Sequence, residues 1–97
     1  MKVYISGQIT GLPIEEAREC FEEAQIHQEE QGYKVFNPLE NGLPADATWE
    51  EHMKADIKIL MECDAIYLLN NWKDSKGARI ERDIAVALGY LVIEQIK

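Results

Sequence analysis

The chain has 97 residues, the length of one ordinary domain, and its 46% hydrophobic content is too high for a disordered protein. Eighteen acidic side chains against ten basic ones give a formal net charge of −8, and such a field repels the phosphate backbone of DNA or RNA. The chain has neither the run of 18 apolar residues that spans a membrane nor the apolar region and cleavage site of a secretory signal. We therefore expect a single cytoplasmic domain, residues 1–97, that binds neither nucleic acid polymers nor membranes.

Hydrophobic patterning divides the chain into alternating strands and helices. Short β-branched and aromatic runs predict strands, and apolar residues at three-to-four spacing predict amphipathic helices. Proline and glycine mark the boundaries, since proline cannot continue a paired strand and glycine suits a helix C-terminus. In chain order, the predicted elements are strand 3–6, a helix from Pro13 to a cap at Gly32, strand 33–36, loop 40–47, helix 49–62, strand 65–69, helix 77–88 and strand 90–93.

The order of these elements predicts an α/β fold. A βαβαβαβ chain is typical of a parallel sheet covered by helices, and right-handed crossovers with short connections favour the strand order 2-1-3-4. We therefore expect a flavodoxin- or Rossmann-like three-layer α/β/α architecture with four strands. Ligands of such sheets bind at the carboxyl ends of the strands where the winding reverses, here between strands one and three. The segments predicted to meet there are Ser6-Gly7-Gln8 and the loop 70–76.

The starts of the second and third helices carry capping signals. Thr48 followed by Glu51 predicts a capping box, and Ser75 predicts an N-cap. The small residues Ser75, Gly77 and Ala78 let backbone amides approach an anion at the third helix, although many helices begin with serine and glycine. Walker and GxGxxG phosphate-binding motifs do not occur in the sequence.

Two acidic residues interrupt the apolar stripes of the predicted helices. A carboxylate that loses its hydration costs several kcal/mol unless it is paired or its pKa shifts. Glu81 and Asp56 therefore suggest a paired-carboxylate site, in which one acid attacks or carries negative charge and the other supplies a proton. The structural alternatives are a glutamate bonded to backbone at the edge of the core and a surface salt bridge at Asp56. The predicted stripes contain Gly77, Ile80, Ile84, Ala85 and Leu88 beside Glu81, and Trp49, Met53, Ile57, Leu60 and Met61 beside Asp56.

Three aromatic residues have both a functional and a structural interpretation. Tyr4 on strand one can place its hydroxyl near Glu81 across the sheet, or it can simply pack. Trp49 and Trp72 can stack on a nucleobase, although an aromatic residue near a helix start more often belongs to the core or its rim.

The two cysteines, Cys20 and Cys63, are not arranged in a CxxC pair. A disulfide, or a zinc site with His27 or His52, is conceivable, but the spacing supports neither. We expect two reduced thiols, two structural histidines, no metal and no cofactor.

Several of these residues fall into a recognisable pattern. Ser75, Gly77 and Glu81 form an S-x-G-x-x-x-E element that precedes A-x-x-L-G at 85–89, and Val3-Tyr4-Ile5-Ser6-Gly7 opens the chain. Together with Asp56, segment 62–66 and Trp72, this pattern resembles the nucleoside 2-deoxyribosyltransferase-like superfamily. That superfamily includes the 2′-deoxynucleoside 5′-monophosphate N-glycosidases, and the resemblance covers almost the whole chain.

The resemblance implies a catalytic apparatus for nucleoside or nucleotide substrates. Glu81 corresponds to the glutamate that attacks the anomeric carbon, Asp56 to the aspartate that contacts the sugar or assists proton transfer, and Tyr4 to the tyrosine that orients the glutamate. Ser75 corresponds to a serine that points to the 5′-phosphate in the hydrolase branch. The family's basic phosphate clamp is replaced at residues 8–10, and a homo-oligomer is implied. The remaining substrate-binding residues predicted are Ser6, Gly7, Gln8, Gly77 and Trp72.

Two functions remain open. The first is an N-glycosidase or deoxyribosyltransferase that acts on a deoxynucleoside or its 5′-monophosphate through a covalent glycosyl-enzyme on Glu81. The second is a binding module that holds a nucleotide or NAD-derived ligand without cleaving it. A purely structural role is disfavoured, because a buried charge without function usually lowers stability.

Overall fold

The computed structural model describes residues 1–44 and 46–96 of the chain. Short 3₁₀ turns follow two of the strands, at Pro38–Glu40 and Trp72–Asp74. Within the described ranges, no helix combines the length and the apolar character needed to cross a membrane. The strands are β1 (Lys2–Ser6), β2 (Lys34–Phe36), β3 (Ala65–Leu68) and β4 (Leu91–Glu94), and the helices are α1 (Ile14–Glu30), α2 (Trp49–Leu60) and α3 (Lys76–Ala87).

The four strands form one parallel sheet in the order β2-β1-β3-β4. Strand β1 is central, and its Tyr4 is aligned with Phe36 of β2 on one side and Ile66 of β3 on the other. This order confirms the predicted α/β fold class and strand arrangement. It also confirms that the winding reverses between β1 and β3, so the loops that follow these two strands leave the same edge of the sheet.

The sheet separates two clusters of buried side chains. Helix α1 covers one side, which we call the α1 face, and helices α2 and α3 cover the other, which we call the α2–α3 face. Because successive residues of a strand point to opposite sides, β1 contributes alternate residues to each cluster. The clusters contain Val3, Ile5, Phe21, Ala24, Ala65, Tyr67 and Leu69 on the α1 face, and Tyr4, Leu60, Cys63, Ile66, Leu68 and Ala85 on the α2–α3 face.

The predicted caps of α2 and α3 are confirmed. The backbone N–H of Glu51 donates to the Thr48 hydroxyl at 3.1 Å, and the Glu51 carboxylate accepts from the Thr48 N–H at 2.8 Å. The Ser75 hydroxyl accepts from the backbone N–H of Ala78 at 3.1 Å and begins α3. These bonds satisfy N–H groups that have no partner inside a helix, and they fix where α2 and α3 start relative to the sheet.

The predicted apolar stripes are wrong at their ends. Trp49 is 41% exposed, Met61 54% and Leu88 46%, although the pattern placed all three against the sheet. Helices α2 and α3 have 12 residues each and are about 18 Å long, whereas a four-residue strand spans only about 13 Å. Residues at the helix ends therefore extend past the layer they would need for burial.

Candidate active site

Glu81 is the central polar group of the α2–α3 face. It lies on the second turn of α3 and is only 5% exposed. Its carboxylate accepts a hydrogen bond from the Tyr4 hydroxyl at 2.8 Å through Oε2 and from the Ser6 hydroxyl at 2.7 Å through Oε1. Both donors come from β1, two residues apart on the same side of the strand and fully buried. The predicted approach of Tyr4 to Glu81 is confirmed, and Ser6 holds the second oxygen.

Opposing effects set the protonation of Glu81. The pKa of Glu81 is raised from 4.5 to about 7, mainly by burial; the hydrogen bonds from Ser6 and Tyr4 lower it, and the nearby charge of Asp56 makes a smaller contribution that raises it. Burial and the Glu81 charge hold the pKa of the Tyr4 hydroxyl well above its ordinary value, so Tyr4 remains a donor. Glu81 consequently exchanges its proton close to neutral pH, where a group can act as a nucleophile or as an acid–base catalyst.

Asp56 is the second buried acid, and it faces the same cavity from α2. It is 6% exposed. Burial raises its pKa, while the hydrogen bond from Asn41 and the nearby His52 lower it. Among the residues that the structure describes, no Lys or Arg forms an ion pair with Asp56. The structural alternative of a surface salt bridge at Asp56 is therefore wrong.

Asn41 connects Asp56 to a histidine that the sequence pattern did not single out for function. The Asn41 amide nitrogen lies 2.9 Å from Oδ1 of Asp56 and 3.0 Å from Nδ1 of His52. Its carbonyl oxygen accepts from the backbone N–H of Leu43 at 3.0 Å. His52 and Asp56 are one turn apart on α2, and that i, i+4 spacing was the only available signal that the two share a face.

These groups surround a cleft of about 450 Å³ at the carboxyl edge of the sheet. That volume is within the range of small-molecule sites. The cleft lies between the α1 start, the segment that follows β2, and helices α2 and α3. Its lining residues are Gly7, Ile9, Thr10, Ile14, Arg18, Pro38, Leu39, Asn41, Leu43, Ala47, Trp49, His52, Met53, Asp56, Ser75, Gly77, Ala78 and Glu81.

The sequence-predicted residues divide into those that line the cleft and those that do not. Tyr4 and Ser6 are buried behind Glu81 and do not line the cleft themselves. They are linked to it by their hydrogen bonds to the Glu81 carboxylate. The backbone N–H of Gln8 donates to Asn71 and so joins the loops after β1 and β3. Trp72 packs against the buried cluster of the α2–α3 face. The predicted residues that line the cleft are Glu81, Asp56, Gly7, Ser75 and Gly77.

Two glycines in this region lie where neighbouring side chains leave little space for a Cβ atom. A Cβ atom on Gly7 would lie 2.5 Å from Cδ1 of Leu69, so only glycine lets the chain leave β1 beside the end of β3. A Cβ atom on Gly77 would lie 3.0 Å from the Met53 sulfur, where α3 approaches α2. Gly77 therefore permits the close approach of the two helices that carry the acids.

Arg18 is a further cleft residue that the sequence pattern did not single out. It follows Ile14 by one turn of α1, and both side chains line the cleft. The guanidinium is half-exposed and bonds to Glu15 at 2.8 Å. An exposed i,i+3 pair contributes only about 0.2–0.5 kcal/mol, so little free energy is lost if Arg18 binds another anion instead.

Cys20 is half-buried and Cys63 is buried, and both are free thiols. Burial raises the pKa of the Cys63 thiol to about 11, which keeps it protonated and unreactive at neutral pH. In residues 1–44 and 46–96, no group of three or more His, Cys, Asp or Glu side chains is arranged to hold a metal ion.

The family profile described as Domain of unknown function (DUF4406) matches residues 1–94. Comparison with curated proteins found no match. Among solved structures, a CMP N-glycosidase from Clostridium botulinum shares 23% identity over 97% of this chain and 67% of its own length, with a TM-score of 0.66.

Two deoxyribosyltransferases have similar structures. The 2-deoxyribosyltransferase from Bacillus psychrosaccharolyticus shares 23% identity over 97% of this chain and 71% of its own, with a TM-score of 0.76. The enzyme from Leishmania mexicana shares 19% identity over 96% of this chain and 62% of its own, with a TM-score of 0.70. The chain therefore has the nucleoside 2-deoxyribosyltransferase-like fold, and it spans about two thirds of the length of these enzymes.

Proposed function

The chain belongs to the family described as Domain of unknown function (DUF4406), and for this member we propose cleavage of the N-glycosidic bond of a deoxynucleoside or its 5′-monophosphate. The observation that carries the proposal is the buried Glu81 carboxyl at the cleft, with one hydroxyl donor on each of its oxygens. Buried acids with a shifted pKa in a cleft are typical of catalytic sites. The similar structures include an N-glycosidase and two deoxyribosyltransferases, which is the same kind of activity.

In the proposed reaction, Glu81 is the nucleophile. Its ionised oxygen forms a bond to C1′ of the sugar while the bond from C1′ to the base nitrogen breaks, and the bonding electron pair leaves with the base. Asp56 donates a proton to the departing base or anchors the sugar hydroxyl. Water, deprotonated by a carboxylate, then attacks C1′ and releases Glu81; an incoming base in place of water makes the reaction a transfer.

Tyr4 and Ser6 position the nucleophile in this proposal. Each donates to a different Glu81 oxygen, so the plane of the carboxylate is held against rotation. Orientation of this kind reduces the entropy lost on reaching the transition state. Gly7 and Gly77 line the space in front of Glu81 without side chains that would block a sugar.

Two groups support a phosphorylated substrate. The Ser75 hydroxyl uses an oxygen lone pair to accept from Ala78, and its own proton remains available for a phosphate oxygen. Arg18 lines the same cleft, and its guanidinium can bind a phosphate. Basic side chains are outnumbered in this chain, whose net charge is −8, so a guanidinium at the cleft is notable. Trp49 lines the cleft and is 41% exposed, with the Lys76 ammonium 4.8 Å from its ring centroid, and we propose that the opposite face of the ring stacks on the base.

A binding module is the second candidate function. With a pKa of about 7, Glu81 is partly protonated at neutral pH, and in that form it holds a ligand hydroxyl as a donor without attacking it. The chain then holds a nucleotide or NAD-derived ligand intact. The two candidates differ in whether free base appears.

Chromatographic detection of free base tests the proposal. The protein is incubated with the four deoxynucleoside 5′-monophosphates, their nucleosides, the ribonucleotides including CMP, and NAD, and Glu81→Gln is assayed alongside. Base released by wild type alone supports the proposal and identifies the substrate. If no compound loses its base while a nucleotide raises the melting temperature, the binding module is supported. If no base is released and no compound raises the melting temperature, both candidate functions are excluded.

A homo-oligomer, implied by the resemblance, stays a prediction. Strand β4 is an edge of the sheet and exposes Leu91 and Val92, which gives association a physical basis. Light scattering of the purified protein at several concentrations measures the mass. A mass of 11.1 kDa at all of them would contradict the prediction.

A further inference from the structure

We infer that Asn41 and His52 form the part of the cleft that recognises the departing base. Asn41 positions His52, and His52 donates a hydrogen bond from Nε2 to an acceptor atom of the base, such as a pyrimidine carbonyl oxygen or a purine ring nitrogen. This inference rests on the proposed N-glycosidase function and adds a residue that acts on the leaving group.

The orientation of the Asn41 side chain follows from its three partners. The backbone N–H of Leu43 points at one end of the amide, at 3.0 Å, so that end must be the carbonyl oxygen. The other end faces the Asp56 carboxylate at 2.9 Å and must be the NH₂ group. The reversed amide would place an oxygen against the carboxylate and a donor against a donor.

This orientation determines which nitrogen of His52 carries the proton. An NH₂ group has two hydrogens, and here one is directed to Asp56 and the other to Nδ1 of His52 at 3.0 Å. Nδ1 accepts, so the neutral imidazole has its proton on Nε2. Nε2 has no hydrogen-bond partner among the described residues, and His52 lines the cleft.

A donor at this place has a chemical purpose. Negative charge develops on the base as its bond to C1′ breaks, and a fixed donor stabilises that charge more than it stabilises the intact substrate. His52 lies one turn of α2 before Asp56, so both groups approach the substrate from the same wall of the cleft. The Asn41 amide bonds to both His52 and Asp56 and so fixes the position of one side chain relative to the other.

Nitrogen NMR of the histidine rings tests the positioning without any substrate. The chain has only two histidines, and His27→Gln assigns the signals of His52 by elimination. At a pH where His52 is neutral, wild type is expected to show an unprotonated Nδ1 and a protonated Nε2. The isosteric Asn41→Asp replaces the donor with an acceptor, so Nδ1 becomes the protonated nitrogen. A protonated Nδ1 in wild type, or an unchanged His52 in Asn41→Asp, overturns the inference.

Base release then tests the donor role on the substrate that wild type cleaves. His52→Phe is expected to lower kcat on the order of a hundredfold with a much smaller change in KM. His52→Gln restores part of the rate, because its amide nitrogen can occupy the place of Nε2. His27→Gln, on the exposed side of α1, is the matched control and leaves kcat unchanged.

The outcomes separate the inference from the function on which it rests. If wild type releases base and His52→Phe is equally fast, the inference falls and the N-glycosidase proposal stands. If wild type releases no base from any compound, the proposal falls, and the donor role of His52 falls with it. Circular dichroism melting of each variant verifies that it is folded.

Discussion

The two faces of the sheet differ in what their buried side chains do. Strand β1 contributes to both, because Val3 and Ile5 point to the α1 face and Tyr4 and Ser6 point to the α2–α3 face. On the α1 face these residues meet Phe21 and other apolar groups of α1. On the α2–α3 face, Tyr4 and Ser6 donate to a buried carboxylate.

The difference shows how one strand serves stability and chemistry at the same time. Apolar burial on the α1 face stabilises the fold with no directional requirement. The α2–α3 face buries an acid whose pKa is raised to about 7, which opposes folding once that acid is ionised. Four predictions sharpen this comparison, and three of them pair a change at or beside Glu81 with a matched change elsewhere.

The largest expected effect is on turnover. Glu81→Gln removes the nucleophile, and we expect base release to fall on the order of 10⁴-fold or more. Glu62→Gln makes the same chemical change at an exposed position and leaves the rate as in wild type. Both are measured by chromatography of the released base. Equal rates for wild type and Glu81→Gln would show that the buried acid is not the nucleophile.

The second effect is on stability. The folded pKa of Glu81, about 7, lies above the ordinary value of 4.5, so folding favours the protonated acid. Its contribution is fully present below pH 4.5 and is lost as the pH rises through about 7. Relative to Glu81→Gln, which does not titrate, wild type should lose up to about 3 kcal/mol of unfolding free energy across this range. Urea unfolding of both proteins at pH 4.5 and pH 8 measures the change, and a constant difference would contradict it.

The third effect distinguishes two buried tyrosines. Tyr4→Phe removes a donor that lowers the pKa of Glu81, so that pKa rises above about 7 and the ascending limb of kcat/KM moves to higher pH. A lost hydrogen bond to a charged group corresponds to a rate loss of about tenfold to a hundredfold. Tyr67→Phe, on the α1 face, should change neither the limb nor the rate. Coincident pH profiles for Tyr4→Phe and wild type would show that the Tyr4 hydroxyl does not affect the catalytic carboxyl of Glu81.

The smallest effect compares neighbours in β1. Ile5→Val removes one methylene from the α1 face and should cost about 1 kcal/mol of unfolding free energy with kcat unchanged. Ser6→Ala removes the second donor to Glu81 and should move the kcat/KM limb to higher pH. Denaturant unfolding measures the stability of both variants, and pH profiles of kcat/KM measure the position of the limb. A kcat loss in Ile5→Val would mean that the two faces are coupled.

Much of the fold could be predicted from the sequence, because it depends on local patterns. The strand order followed from the βαβαβαβ succession and the handedness of crossovers. The caps at Thr48 and Ser75 followed from the first residues of each helix. The burial of Glu81 and Asp56 followed from helical periodicity, which fails only at helix ends such as Leu88.

The candidate site was predicted less completely. The residues on regular elements, Glu81, Asp56 and Tyr4, were identified because periodicity fixes the side on which a residue lies. Asn41 lies in a loop, where no period applies, and its amide reaches α2 only because the chain after β2 turns back over the cleft. Trp72, predicted to bind the substrate, is partly buried and packs against the core cluster of the α2–α3 face, and its role stays a prediction.

The sequence by itself determined the order of elements, the parallel sheet and the inward direction of two acids, since these depend on propensity and period within short segments. Only the tertiary structure decided which atoms those acids meet. Tyr4 and Ser6 lie more than 70 residues from Glu81 along the chain, and their distances of 2.8 and 2.7 Å depend on how α3 packs on β1. A period gives the direction of a side chain relative to its own element, whereas a hydrogen bond requires the distance between two elements.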